Sequence, residues 1–189
     1  MNLPNKLTIL RIALIPVFVA FLMIVEIPHR FFWAMLVFIV ASITDALDGN
    51  IARKRGLVTD FGKLMDPLAD KMLVTSAIIL FLYLGLINPI ATIIILARDM
   101  MINSMRLLAA SDKGKVLAAG FFGKLKTASQ MTGIIAVLLL KEVGELGIIP
   151  LITENADIIS NILMWIISLL TLASGVDYMV KYRKYVNTK

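Results

Sequence analysis

Residues 44–70 read TDALDGNIARKRGLVTDFGKLMDPLAD, and they carry five aspartates in a chain that is 59% hydrophobic. Asp45 and Asp48 are three residues apart in this stretch, and Asp66 and Asp70 are four apart. Residues at these spacings share one face of an α-helix, so each pair is expected on one face of its own helix. The stretch therefore predicts two helices whose four carboxylates converge on one point.

The composition of the whole chain is typical of an integral membrane protein. The chain has 189 residues, of which only 17% are charged, and its mean hydropathy is +0.89. Repeated long apolar runs in such a chain indicate membrane-spanning helices. We expect an all-α polytopic membrane protein with a single domain over residues 1–189. Its six transmembrane helices are expected at about residues 7–25, 31–54, 60–86, 90–110, 118–140 and 158–182.

The distribution of charge predicts how the chain is oriented in the membrane. The net charge is +6, and most basic residues fall on one predicted side, as they do in cytoplasmic loops. That side holds both termini and the acidic stretch, so the active site is expected to face the cytoplasm at the cell membrane. Little soluble surface is left for a nucleic-acid partner. The opposite side has Arg30 and Lys141 with the acids Glu26, Glu142, Glu145, Glu154 and Asp157.

The acidic stretch is expected to bind metal ions through carboxylate oxygens alone. Cysteine is absent and the single histidine, His29, falls on the opposite side, which excludes thiolate and imidazole ligands here. Acids beside apolar runs are costly and indicate function, and two Mg²⁺ or Mn²⁺ ions suit such ligands. Arg53 lies on the face of the first acidic pair and suits phosphate oxygens. Gly49 and Gly62 permit either close ligand approach or close helix packing.

The spacing of these residues resembles a known family signature. It is similar to the signature of the CDP-alcohol phosphotransferases, and all eight of its fixed positions are present. The resemblance implies a six-helix membrane enzyme, commonly a homodimer, which joins an alcohol to the phosphoryl group of a CDP-linked lipid and releases CMP. The matching pattern is Asp45-x2-Asp48-Gly49-x2-Ala52-Arg53-x8-Gly62-x3-Asp66-x3-Asp70.

The resemblance also implies roles for single residues of this chain. Asp70 is implied as the base that takes the proton of the acceptor hydroxyl. The implied metal ligands are Asp45, Asp48, Asp66 and Asp70. The implied contacts to the CDP moiety are Gly49, Arg53 and Gly62.

The rest of the chain resembles one branch of this family, the bacterial phosphatidylglycerophosphate synthases. Residues 3–11, 97–106 and 123–130 carry the likeness, although Asp99 stands where the branch more often has Glu. The branch implies CDP-diacylglycerol and glycerol 3-phosphate as substrates. We expect the acceptor phosphate to be bound by basic residues of the fourth and fifth helices, with binding of lipid headgroups as the alternative role. These residues are Arg98, Arg106, Lys124 and Lys126.

Asn5 and Thr8 are expected either to line the CDP-lipid side of the site or simply to cap the first helix and anchor it at the membrane interface. The chain as a whole is expected to be a metal-dependent phosphatidyltransferase of anionic phospholipid synthesis, with membrane lipids around it. One alternative is the same chemistry on inositol phosphate, serine or phosphatidylglycerol. The other is a divalent-cation transporter, because acids within the membrane also mark ion pathways.

Overall fold

A computed structural model describes residues 3–55, 60–111 and 120–182 of the chain. Within these ranges it describes all side chains except those of residues 3, 4, 6, 45–55, 60–64, 66, 67, 70 and 107–111. The described residues form six α-helices and no strand, which confirms the all-α prediction. The helices are α1 Leu3–Met23, α2 Arg30–Arg55, α3 Asp60–Tyr83, α4 Pro89–Ser111, α5 Phe121–Leu146 and α6 Pro150–Lys181.

The helices pack in a bundle around one apolar core. Helix α1 lies against α2 and α3, and α5 lies against α6 and α2, while α4 packs mainly on α6. Phe18 of α1 and Phe38 of α2 are fully buried in this core, with ring centroids 5.9 Å apart. Gly133 of α5 lies where a Cβ atom would meet Ile167 of α6, so these two helices approach closely. Helix α3 also contacts α4 and α5, which brings the second half of the acidic stretch to those helices.

The surface of the bundle is apolar along every helix. Large hydrophobic side chains are exposed on all six, among them Leu10, Val40, Ile79, Ile93 and Leu169. Among the described residues one helix, Pro150–Lys181, is long and apolar enough to cross a membrane by length and composition. Shorter apolar helical segments lie at Leu7–Met23, Arg30–Thr44 and Lys71–Tyr83. The number of six membrane spans stays a prediction.

The predicted loop over residues 141–157 is wrong, because both flanking helices continue into it. Helix α5 extends to Leu146 and ends at Gly147, whose φ of 67° suits the left-handed position after a helix. Helix α6 begins at Pro150, a residue favoured in the first turn because the amide hydrogen it lacks is not needed there. The polar residues that suggested a loop join the two helices instead, through a 2.7 Å bond from Lys141 Nζ to Asp157 Oδ1.

A buried carboxylate marks the same end of the bundle. Glu142 is 5% exposed and accepts hydrogen bonds from the amide of Phe32, at 3.1 Å, and from His29 Nδ1, at 2.6 Å. It therefore ties the start of α2 to the end of α5. Lys126 lies sixteen residues earlier in α5, which at 1.5 Å per residue is about 24 Å along the helix. The basic residues near the start of α5 thus lie at the opposite end from Glu142.

Candidate active site

The four predicted metal ligands lie on two helices of the bundle. The backbone is helical through Asp45 and Asp48 in α2 and through Asp66 and Asp70 in α3. The side chains of these four aspartates lie outside the described ones. The same is true of the predicted CDP contacts, Gly49 and Arg53 in α2 and the residues around Gly62 in α3. Elsewhere in the described part, no three His, Cys, Asp or Glu side chains come together as a metal site would require. The metal site therefore stays a prediction, which rests on the helical spacing of the aspartates and on ligand chemistry.

A half-open cavity of about 450 Å³ lies between α3, α4 and α5, and its described lining includes Lys71, the residue that follows Asp70 in the chain. Lys71 lines the cavity from α3. The lining residues of α5 include Lys124, Thr127, Ala128 and Met131, whose spacing of i, i+3, i+4 and i+7 places them on one side of the helix. No carboxylate is among the described residues of the lining. The lining residues are Lys71, Arg98, Ile102, Asn103, Arg106, Gly123, Lys124, Thr127, Ala128 and Met131.

Four of the described lining residues are cations, so the cavity is suited to an anion. Arg98, Arg106 and Lys124 were predicted to bind the acceptor phosphate, and all three line it. Lys71 was not predicted, although it directly follows Asp70 and precedes an apolar run where a charge is costly. The cost of placing a charge there is the feature of the sequence that could have indicated a functional role for Lys71. Four positive side chains, with no acid among the lining residues that the structure describes, suit a phosphate group, which arginine binds with paired hydrogen bonds.

Lys126 lies elsewhere. It is 2% exposed and does not line the cavity; its Nζ donates to both oxygens of Asp99, at 2.6 and 2.7 Å. It belongs to the buried face of α5 that continues through Gln130 and Gly133. Lys124 and Lys126 are two residues apart, about 200° around the helix, so they point to different sides.

Asp99 is shared by several cations. Besides Lys126, it accepts a hydrogen bond from Arg98 Nη1 at 3.1 Å, and Lys71 Nζ lies 4.0 Å from its Oδ2. Arg98 is held from a second direction, because its Nη2 donates to Ser174 Oγ of α6 at 2.8 Å. Asp99 therefore connects the buried lysine with two of the cations that line the cavity.

Contacts with helix α6 position the two arginines, Arg98 and Arg106. A Cβ atom on Gly175 would lie 2.9 Å from Cγ of Arg98, so the absence of a side chain there makes room for the arginine. The guanidinium carbon of Arg106 lies 5.6 Å from the ring centroid of Tyr178, a cation–π contact. Tyr178 is itself buried against Ile102 of α4. Both arginines are thus positioned by contacts outside the cavity.

The predicted CDP-lipid residues of α1 lie apart from this cavity. Asn5 is 9% exposed and Thr8 is fully buried, and neither is among the lining residues. The alternative role as helix caps is wrong for both, because α1 begins at Leu3 and they lie inside it. Their burial on the face of α1 that packs into the bundle leaves the CDP-lipid role as the prediction to test.

The sequence is similar to known proteins over almost its whole length. The family described as CDP-alcohol phosphatidyltransferase matches residues 1–173. A Bacillus subtilis protein named CDP-diacylglycerol–glycerol-3-phosphate 3-phosphatidyltransferase is 37% identical, over 95% of this chain and 94% of its own. A Rickettsia felis protein of the same name is 41% identical over 97% of both chains. A Mycobacterium tuberculosis protein named probable phosphatidylglycerophosphate synthase is 36% identical, over 95% of this chain and 81% of its own.

A test of the cavity as an anion site follows from the position of Gly175. In Gly175→Ala the new methyl group meets Arg98 at 2.9 Å, which displaces the arginine from Ser174. We expect the dissociation constant for inorganic phosphate to rise about tenfold, the cost of one charged hydrogen bond. Isothermal titration of the solubilised protein measures it. Gly120→Ala is the control, because a Cβ atom there meets nothing closer than 3.9 Å. Unchanged phosphate affinity in a folded Gly175→Ala would contradict the assignment.

Proposed function

This chain belongs to the CDP-alcohol phosphatidyltransferase family, and we propose that it transfers the phosphatidyl group of CDP-diacylglycerol to glycerol 3-phosphate. The products are phosphatidylglycerophosphate and CMP. The observation that carries the proposal is the cavity with four cations among its described lining residues, one of which, Lys71, directly follows Asp70 in the chain. The names of the relatives from Bacillus subtilis and Rickettsia felis support the same pair of substrates. The whole chain, residues 1–189, acts as a single catalytic domain.

The cavity binds the phosphate of the acceptor. Arg106 and Lys124 are the principal ligands, since both line the cavity from neighbouring helices, and Arg98 and Lys71 add positive charge. A phosphate dianion gains most from such donors where water is partly excluded. Serine offers only a carboxylate and phosphatidylglycerol only a phosphodiester, each with a single negative charge, whereas a phosphate monoester can carry two. Four cations therefore favour an acceptor with a phosphate monoester over serine or phosphatidylglycerol.

The carboxylates of α2 and α3 hold the metal ions. The helical backbone through both pairs keeps the three- and four-residue spacings on one face each, and four acidic oxygens suit Mg²⁺ or Mn²⁺. Two ions, when bound, neutralise the diphosphate and stabilise the leaving group. The proposed ligands are Asp45, Asp48, Asp66 and Asp70.

The reaction is a displacement at phosphorus. Asp70 takes the proton of the sn-1 hydroxyl of glycerol 3-phosphate, and the oxygen attacks the phosphorus that carries the diacylglycerol. The new P–O bond forms as the bond to CMP breaks, and CMP leaves with the electron pair. The cavity cations hold the acceptor phosphate during this step, so that the hydroxyl is oriented rather than free.

The donor nucleotide binds beside the carboxylates. Gly49 and Gly62 allow the CDP moiety to approach the backbone, and Arg53 supplies a charge for its phosphates. Asn5 and Thr8 of α1 complete this side, since α1 packs against both α2 and α3.

The protein acts in the cell membrane with its active site on the cytoplasmic side. The exposed apolar side chains on all six helices support immersion of the whole bundle in lipid. The acids Glu142, Glu145, Glu154 and Asp157 belong to the end opposite the cavity, and this asymmetry favours six spans with both termini cytoplasmic. We further propose a homodimer. A transporter is no longer favoured, because the family is one of transferases.

An acceptor panel tests the proposed function. Purified protein with CDP-diacylglycerol and Mg²⁺ or Mn²⁺ is expected to release CMP with glycerol 3-phosphate, and weakly or not at all with inositol phosphate, serine or phosphatidylglycerol. Arg106→Met is expected to raise KM for glycerol 3-phosphate at least tenfold, as loss of a charged hydrogen bond predicts. Lys181→Met is the control, because Lys181 is an exposed cation that does not line the cavity. Preference for another acceptor would contradict the proposal.

A second test separates the base from the ligands. Asp70→Asn keeps the size of the side chain but cannot accept the hydroxyl proton, so kcat is expected to fall by about two orders of magnitude or more. Binding of CDP-diacylglycerol, measured by titration in the presence of Mg²⁺, is expected to stay within a few-fold of the parent protein. Loss of that binding together with activity would show that Asp70 is mainly a metal ligand.

A further inference from the structure

The ion pair between Lys126 and Asp99 has no part in the reaction as described. Lys126 is 2% exposed and Asp99 is 9% exposed, and two short hydrogen bonds join them. A buried ion pair is seldom kept for stability alone, because the loss of hydration offsets most of the attraction. Its position beside the cavity suggests another use.

Asp99 competes with a substrate phosphate for the same cations. It is bonded to Arg98 and lies 4.0 Å from the ammonium of Lys71, and both of those cations line the cavity. If the negative charge of Asp99 were not neutralised, the carboxylate would attract Arg98 and Lys71 away from an incoming phosphate. Lys126 occupies both oxygens of Asp99, so most of that negative charge is already satisfied.

We propose that Lys126 is a positioning residue that acts on acceptor binding through Asp99. It neutralises the carboxylate from its buried side and so weakens the attraction of Asp99 for Arg98 and Lys71. Lys126 itself does not touch the acceptor phosphate. The proposal rests on the proposed function in one respect, that the acceptor carries a phosphate. It replaces the earlier prediction that Lys126 binds this phosphate directly.

The two possible roles of Lys126, direct phosphate ligand and positioning residue, predict opposite results for KM when the charges of Lys126 and Asp99 are both removed. If Lys126 is a phosphate ligand, removing Asp99 as well cannot restore what Lys126→Met has lost. If Lys126 acts through Asp99, its removal leaves a carboxylate that captures the cavity cations, and Asp99→Asn in the same protein abolishes that capture. Arg98 keeps its bond to Ser174 in the double variant.

The experiment compares Lys126→Met with Asp99→Asn/Lys126→Met. The single variant is expected to raise KM for glycerol 3-phosphate at least tenfold while KM for CDP-diacylglycerol changes less than twofold. The double variant is expected to return KM for glycerol 3-phosphate to within about threefold of the parent value. These sizes correspond to gain or loss of about one charged hydrogen bond. A double variant as weak as the single one would overturn the proposal.

Two additions keep the result interpretable. Lys126→Gln retains a hydrogen-bond donor for Asp99 without the charge, and a rise in KM is expected for it too, so it replaces Lys126→Met if that variant does not fold. Lys141→Met is the matched control, because it breaks a lysine–aspartate pair at the far end of the bundle. A rise in KM in this control equal to that of Lys126→Met would also overturn the proposal.

The affinity for inorganic phosphate is measured in the same variants. It is expected to fall in Lys126→Met and to recover in the double variant, whichever phosphorylated alcohol is the acceptor. An inactive parent protein with glycerol 3-phosphate would therefore contradict the proposed function alone. Absence of recovery in phosphate binding would contradict the role of Lys126 alone.

Discussion

The cost of burying charge is the constraint on which this end of the bundle depends. Asp99, Lys126 and Arg98 are each less than one-tenth exposed, and a charge removed from water is tolerated only where opposite charge and hydrogen bonds replace the water. For the carboxylate of Asp99, hydrogen bonds from Arg98 and Lys126 replace the water. Three helices are joined in this way, because Ser174 of α6 holds the other side of Arg98.

The same contacts relate the anion-binding cavity to the acidic helices. Lys71 belongs to the cavity and directly follows Asp70 in α3, so a phosphate bound by the cations lies beside the helix that carries two of the proposed metal ligands. Helix α3 thus carries both a cavity cation and Asp70, while the principal phosphate ligands Arg106 and Lys124 approach from α4 and α5. This arrangement accounts for a preference for acceptors that carry both a phosphate and a hydroxyl.

Much of the fold follows from the sequence, and so does part of the site. Apolar runs between Pro and Gly breaks predict α2 and α4 to within about a residue of their observed ends. The loop predicted over residues 141–157 fails because α5 and α6 both continue into it, and Lys141 and Asp157 there pair between the two helices. The place of Arg106 and Lys124 near the predicted cytoplasmic ends of their helices, together with the family resemblance, predicts them as phosphate ligands. The buried position of Lys126 depends instead on which face of α5 packs inward. That face is settled by contacts with other helices, which no local pattern contains.

In the proposed complex, the acceptor phosphate lies on the Lys124 face of α5 while Lys126 stays paired with Asp99. A structure determined with bound glycerol 3-phosphate and Mg²⁺ is the decisive test. We expect phosphate oxygens within hydrogen-bonding distance of Arg106 and Lys124, a free hydroxyl directed towards Asp70, and both bonds from Lys126 to Asp99 intact. A phosphate bonded to Lys126, or bound outside the cavity, would contradict the proposed complex.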